Sequence, residues 1–375
     1  MKAVIAQSDV VTAYGWGLDA LWDGLMSGNS PIRASDRFAG RGFVSDQMAA
    51  VADLDVAPGD SRAMALLRPL LEKLAGKLDP TTPLILATTV GEIERIEQAV
   101  LENNPALTAQ ASPRVLLAHV KQLLGLQGDS MVISSACASS SAALTRAASM
   151  IRHGDAQSVL VVTCDAISEF VYSGFSALLS LSDAPARPFD AERNGLTLGE
   201  AAAWALVTSE DSPLAGGSST AILGWGNTTD AVHMTAPHRE GNGLSRAITR
   251  ACAMAECPTK DIAFVAAHGT ATIYSDAMEL AAFRTALGTP RPIFSVKGGT
   301  GHALSAAGLV QILVCGRALS LGVVPPTIGL ETPEAVAAGW ATTKPTRIDP
   351  AIRALSTNSG FGGVNTAIVL GRGTQ

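Results

Sequence analysis

Hydrophobic positions along this chain alternate between two rhythms. Short, nearly continuous apolar runs recur at 83–87, 131–135, 158–164, 201–208, 262–267, 293–296, 354–357 and 366–370, and each reads as a strand buried on both faces. Further strands are expected at 2–12 and 221–225. Between the runs, apolar residues spaced by three and four predict helices at 19–26, 63–74, from about 92, at 113–124, after residue 137, and at 244–256, 276–287 and 303–321. Pro69 should kink or split the second of these. Residues 33–61 and 174–199 show neither rhythm and read as irregular connections.

Strands alternating with helices of this length predict an α/β protein with largely parallel sheets covered on both faces. A Gly/Ser connector at 216–219 suggests two halves, 1–218 and 219–375. No 20–50-residue repeat is visible, so any duplication is structural and not readable as sequence identity.

Composition narrows the class. Of the 375 residues 47% are hydrophobic and 16% charged, enough apolar material to bury most of such a chain as about two domains or one large duplicated one. A net charge of -6 without a Lys/Arg run argues against nucleic acid or an anionic membrane as partner. The apolar stretch 303–324 is interrupted by Gln311 and Arg317, so it reads as a buried helix and not a membrane span. Residues 1–9 are too short and polar for a signal peptide. The scattered cysteines (Cys137, Cys164, Cys252, Cys257, Cys315) contain no CxxC pair, which suggests neither a disulfide framework nor a zinc site. A soluble protein of the reducing cytoplasm, with no metal, is the expectation.

Three stretches carry candidate chemistry. The run 131–135 ends near Cys137, and small residues then open a helix. That places the thiol at a strand-to-helix elbow, where free N–H groups and the helix dipole are expected to lower its pKa and make it a nucleophile. An isolated cysteine is more often a small buried hydrophobe. Two histidines change the balance: His268, in Ala267-His268-Gly269-Thr270, and His302, in Lys297-Gly298-Gly299-Thr300-Gly301-His302, each follow a buried strand. Strand ends are where α/β sheets bind ligands. The Gly-rich loop Asn358-Ser359-Gly360-Phe361-Gly362-Gly363 follows another strand and can bring backbone N–H groups close to a ligand.

Taken together these motifs resemble the β-ketoacyl-acyl-carrier-protein synthases, condensing enzymes of thiolase-like fold. The resemblance covers most of the chain. It includes Trp22-Asp23-Gly24-Leu25, Ala136-Cys137-Ala138-Ser139-Ser140, Arg187-Pro188-Phe189-Asp190, the 230–237 motif from Asp230 to Pro237, Ala267-His268-Gly269-Thr270 with Asp276 and Glu279, Lys297 with Gly301-His302, and Gly360-Phe361-Gly362-Gly363. It implies two pseudo-twofold-related halves in a five-layered α-β-α-β-α arrangement. It also implies decarboxylative Claisen condensation of an acyl thioester with malonyl-carrier protein through an acyl-Cys137 intermediate. His268 and His302 would bind the malonyl thioester carbonyl, Lys297 would ion-pair with Glu279, and Thr270 and Thr272 would hold the pantetheine arm. The backbone N–H groups of Cys137 and Ser359 would form an oxyanion hole. The implied partners are an acyl carrier protein and a second subunit, identical or a related ketosynthase. No cofactor is implied beyond the carrier's phosphopantetheine.

Three features depart from the family pattern. Ser359 stands where a bulky aromatic gate is expected, leaving a gate that is open or filled from elsewhere, with Phe361 the candidate. The stretch 43–137 is short, and Asp165-Ala166-Ile167 replaces a Gly-Gly-x-Glu run. These point toward the specialised-cluster branch, such as the aryl-polyene synthases. Two alternatives are a chain-length-factor-like partner subunit, against which the retained Cys137, His268, His302 and Lys297 speak, and a biosynthetic thiolase, against which the lack of a cysteine in the C-terminal loop speaks.

Overall fold

The computed structural model describes residues 1–216, 219–349 and 353–373. Its core strands are β1 (Ala3–Thr12), β2 (Leu84–Ala87), β3 (Ser130–Ile133), β4 (Ser158–Asp165) and β5 (Ala201–Ser209), followed by β6 (Thr220–Thr229), β7 (Ile262–Ala266), β8 (Ile293–Phe294), β9 (Arg353–Gly360) and β10 (Val364–Arg372). The apolar runs are continuous because each face meets a different core. On β4, Val159 and Val161 face the middle of the molecule while Leu160 and Val162 face outward. On β10, Ile368 and Leu370 face the middle while Ala367 and Val369 face outward.

Among the described residues the strands form an 11-stranded sheet, in which the short strand Gly15–Trp16 sits beside β1. The first half runs β3-β2-β4-β5-β1 from its outer edge and the second runs β8-β7-β9-β10-β6, the same order with five added to every label. The two halves meet where β1 and β6 pair antiparallel, Ala3 opposite Ile222 and Ile5 opposite Thr220. The predicted boundary at residue 218 lies outside the described residues.

The expectation of largely parallel sheets holds only at the outer edges, where β2 pairs parallel with β3 and β4, and β7 with β8 and β9. The centre is antiparallel throughout. β9 and β10 show why: only the turn Phe361–Gly363 joins them, and so short a link permits a hairpin but no crossover.

The helices are α1 (Leu18–Ser27), α2 (Arg62–Glu72), α3 (Glu94–Leu101), α4 (Pro113–Leu124), α5 (Ser139–His153), α6 (Glu169–Ala177), α7 (Asn242–Met254), α8 (Ile273–Leu287) and α9 (Ala307–Leu321). α2 and α4 cover the outer face of the first half, α7 and α8 that of the second, and α5 and α9 pack between them. The result is five layers, α-β-α-β-α. Pro69 does not split α2, which continues to Glu72. The proline costs roughly 3 kcal/mol, but Leu66, Leu67, Leu70 and Leu71 are all fully buried, and each such side chain contributes about 1.5–3 kcal/mol. Packing wins.

Helix α9 belongs to an apolar stretch, Leu304–Leu321, long enough to cross a membrane, yet 78% of it is buried inside the protein. It lies so close to α5 that a Cβ on Gly308 would fall 2.4 Å from Ser141 Oγ. That contact brings the N-terminal ends of α5 and α9 together.

Candidate active site

Cys137 sits in a tight turn between β3 and α5. Ala136 takes the left-handed conformation at φ 48°, and Ser139 locks the turn by donating to Ala136 O at 2.6 Å while accepting from Ser135 N at 2.8 Å. Cys137 is buried, 6% exposed as a residue. Here the sequence expectation fails: burial pushes the thiol up to about 12, and the opposing pull of Lys297 and of the Cys137 and Phe361 N–H groups does not overcome it. α5 begins two residues after the cysteine, and the desolvation of a thiolate in this place outweighs the dipole of the helix. The resting nucleophile is a thiol.

His302 Nε2 lies 3.0 Å from that sulfur. Its Nδ1 is buried without a hydrogen-bond partner. Burial, and then the charge of Lys297, hold the ring well below the usual histidine range, so it is neutral and can accept the thiol proton. The helix expected from residue 303 begins only at Ala307, so His302 does not open it directly. A 3-10 turn, Leu304–Ala306, intervenes.

His268 stands edge-on to His302, with ring centroids 5.3 Å apart at 86°. Its Nδ1 faces Asn358 Nδ2 at 3.1 Å and Lys297 Nζ at 3.4 Å. Asn358 Oδ1 is occupied by the Ser141 hydroxyl at 3.0 Å, which orients the amide with its NH2 toward the histidine. Two donors therefore meet Nδ1, which must accept, and the ring proton is held on Nε2. Burial first, then Lys297 and His302, keep this ring neutral as well.

Lys297 is fully buried and donates to the carbonyl of His268. Burial lowers it to about 8, against the pull of Glu279, Cys137 and Asp276. The expected ion pair with Glu279 does not form. The Glu279 carboxylate is taken by His268 N at 2.7 Å, Gly269 N at 2.6 Å and Thr357 Oγ1 at 3.1 Å, so it shapes the backbone of the histidine turn instead. Asp276 does the same one step along, accepting from Phe189 N at 2.7 Å and Ala271 N at 3.1 Å, and burial raises it to about 7.

A cavity of about 290 Å³ opens onto this group, with Cys137, His268, His302, Thr270, Thr272 and Phe361 in its wall. Thr270 and Thr272 are linked through their hydroxyls at 2.9 Å. A larger groove, about 1180 Å³, runs over residues 33–53 and holds none of these groups. Among the described residues no cluster of three His, Cys, Asp or Glu could hold a metal ion.

Ser359 sits differently from the expectation of a gate position. Strand β9 continues to Gly360, so Ser359 is still paired with Asn365 of β10, and its hydroxyl donates to Asn365 Oδ1 at 2.8 Å. The chain leaves the sheet only at Phe361, whose N–H faces the Cys137 sulfur. Gly360 permits that approach, since a Cβ there would lie 3.1 Å from Cys137 N. The Phe361 ring stacks on Phe175 at 5.6 Å. The aromatic group beside the cysteine is thus Phe361, while the Ser359 side chain is tied into the β9–β10 hairpin.

Sequence reasoning missed Asn358 and Asp165 as parts of this site. An Asn at the buried end of a strand, just before a glycine-rich turn, was the available signal for the first. A charged residue ending an otherwise apolar run was the signal for the second.

Two family profiles match the chain: "Beta-ketoacyl synthase, N-terminal domain" over residues 85–212 and "Beta-ketoacyl synthase, C-terminal domain" over 220–331. A putative polyketide beta-ketoacyl synthase 1 of Streptomyces cyaneus is 31% identical over 98% of this chain and 97% of that protein. The 3-oxoacyl-[acyl-carrier-protein] synthase 2 of Vibrio cholerae is 27% identical over 99% of each chain. Among solved structures, the ishigamide ketosynthase/chain length factor superposes with a TM-score of 0.90 at 25% identity, covering 99% of both chains.

Proposed function

The chain belongs to the β-ketoacyl synthase family of condensing acyltransferases with thiolase-like fold, and from that premise we propose how its residues divide the reaction. The observation that carries the reading is the 3.0 Å approach of His302 Nε2 to the Cys137 sulfur, with the His268 ring beside it.

In the first half-reaction the Cys137 thiol gives its proton to neutral His302 and attacks the acyl thioester carbonyl. The oxyanion is met by the N–H groups of Cys137 and Phe361. As the C–S bond of the donor breaks, the proton passes from His302 to the departing pantetheine sulfur, leaving acyl-Cys137. In the second, the malonyl thioester carbonyl accepts from His268 Nε2–H and from His302. Loss of CO2 leaves an enolate, and its carbon attacks the acyl-Cys137 carbonyl. The β-ketoacyl thioester forms and the cysteine sulfur leaves as thiolate, to be reprotonated. Burial, and then the charge of Lys297, keep both imidazoles neutral, and Lys297 supports the enolate. Thr270 and Thr272 hold the pantetheine arm. This chemistry asks for no metal or redox cofactor.

We infer an acyl carrier protein as the donor of both thioesters. The similarity to a ketosynthase/chain length factor supports a related subunit as partner. The test is intact-protein mass spectrometry with acyl- and malonyl-carrier protein: an acyl adduct on Cys137 that is discharged as a β-ketoacyl product is expected. An adduct that forms elsewhere, or none with any carrier-bound donor, rejects the reading.

A further inference from the structure

Asp165 closes β4 and is 1% exposed. Its carboxylate is shared between two loops. From the loop after β2 it accepts Thr88 Oγ1 at 2.7 Å, Thr89 N at 3.0 Å and Val90 N at 3.3 Å. From the turn that follows His302 it accepts Ser305 N at 2.9 Å.

Each loop leads to one member of the reacting pair. Thr89 Oγ1 donates to Ala136 O at 3.3 Å, the carbonyl of the left-handed residue immediately before Cys137. Ser305 lies three residues past His302, beside Leu304, another non-glycine residue held left-handed, at φ 46°. Ser305 is further tied to the cysteine helix, because its carbonyl accepts from Ser140 Oγ, which in turn accepts from Leu309 N at 2.9 Å. Two strained turns are thus fastened to one buried carboxyl group. Left-handed backbone at non-glycine residues is strained and persists only where surrounding bonds impose it.

Resting on the condensing reading above, we propose that Asp165 is a positioning residue that sets the separation of the Cys137 sulfur from His302 Nε2 by anchoring the turns that carry them. It touches neither substrate nor the reacting atoms. An asparagine there would keep the shape, but its NH2 would point at backbone N–H groups, so one loop or the other must let go.

The test uses Asp165→Asn and Thr89→Val in the full chain, with two readouts. Acyl transfer from an acyl-pantetheine thioester to Cys137 should lose roughly 10- to 100-fold in kcat in Asp165→Asn, with KM within about twofold, because misplacement by about 1 Å has that consequence. Alkylation of Cys137 by iodoacetamide needs no acyl donor. The titratable groups gathered at that sulfur are His302, His268, Lys297 and Asp165, of which Asp165 raises the thiol. Its neutralisation should therefore move the alkylation profile to lower pH while acyl transfer falls. A purely structural loss would depress both together.

Thr89→Val keeps the carboxylate and removes only the tie to Ala136, so kcat should drop by about 3- to 10-fold with the alkylation profile in place. Wild-type kcat in Asp165→Asn overturns the proposal. If that variant does not fold, unchanged kcat in Thr89→Val overturns it. A wild-type chain that alkylates normally yet accepts no acyl group rejects the condensing reading instead, and the alkylation profiles then still decide for or against Asp165.

Discussion

In the first half of the molecule β3 ends in a turn through left-handed Ala136 and delivers Cys137 ahead of α5; in the second, β8 ends in a longer turn through left-handed Leu304 and delivers His302 ahead of α9. These are equivalent positions in one repeated topology. Their side chains meet because α5 and α9 are packed together at Gly308. Beyond this meeting point the halves differ sharply. The first contributes a thiol and a buried carboxyl group, Asp165. The second contributes His268, Lys297, Glu279, Asp276 and Asn358, the groups that set charge and proton position. The repeated topology sets two strand-to-helix turns face to face, one carrying a thiol and the other the imidazole 3.0 Å from it.

The contrast continues between the two histidines. His268 is locked by Asn358 and Lys297 as an Nε2–H donor. His302 has no partner on Nδ1 and can hold its proton on either nitrogen. One is suited to stabilising charge, the other to moving a proton.

The largest test of this division is Cys137→Ala, which should reduce acyl-enzyme formation by roughly 10³-fold or more, read as the missing mass adduct. In the unaltered protein, iodoacetamide alkylation of Cys137 should keep rising with pH past the ordinary thiol value of 9.0, since burial holds the thiol near 12. A plateau below that value would sink the protonated-thiol picture.

Next come the histidines. His302→Ala should slow acylation by roughly 10²–10⁴-fold, the usual worth of a general base. His268→Ala should leave acylation within about threefold while CO2 release from the malonyl thioester is lost by roughly 10²–10³-fold. Equal loss of both steps in both variants would erase the distinction between the two rings.

A smaller effect is expected from Asn358→Leu, which frees the His268 tautomer: decarboxylation should fall roughly tenfold, with acylation little changed. The smallest belongs to the β9–β10 turn. Ser359→Ala removes one hydrogen bond, worth about 1 kcal/mol in denaturant unfolding, and should leave the acyl-donor profile alone. Phe361→Ala should alter that profile. If instead the serine variant changes donor choice and the phenylalanine variant does not, the assignment of Phe361 to the cavity mouth is wrong.

Much of this protein was written in local pattern. Helix α4 occupies residues Pro113–Leu124 as its spacing and flanking Ser112 and Gly125 require, and the apolar runs became strands because alternation and burial on two faces are decided within a few residues. Cys137, His268 and His302 were recognisable as candidates because each follows such a run. What the pattern could not contain is anything set by distant contacts. The direction of the Cys137 pKa depends on how much water the fold removes, not on the helix beside it. The N–H that faces the Cys137 sulfur is that of Phe361 because the hairpin register carries β9 two residues past Asn358. Glu279 binds backbone and not Lys297 because the turn at His268 presents its N–H groups first. Asp165 is an anchor only because the turn ahead of α9 returns Ser305 to it across 140 residues. Periodicity is a property of neighbours in the chain; desolvation, register and shared anions are properties of neighbours in space, and only the tertiary structure supplies those.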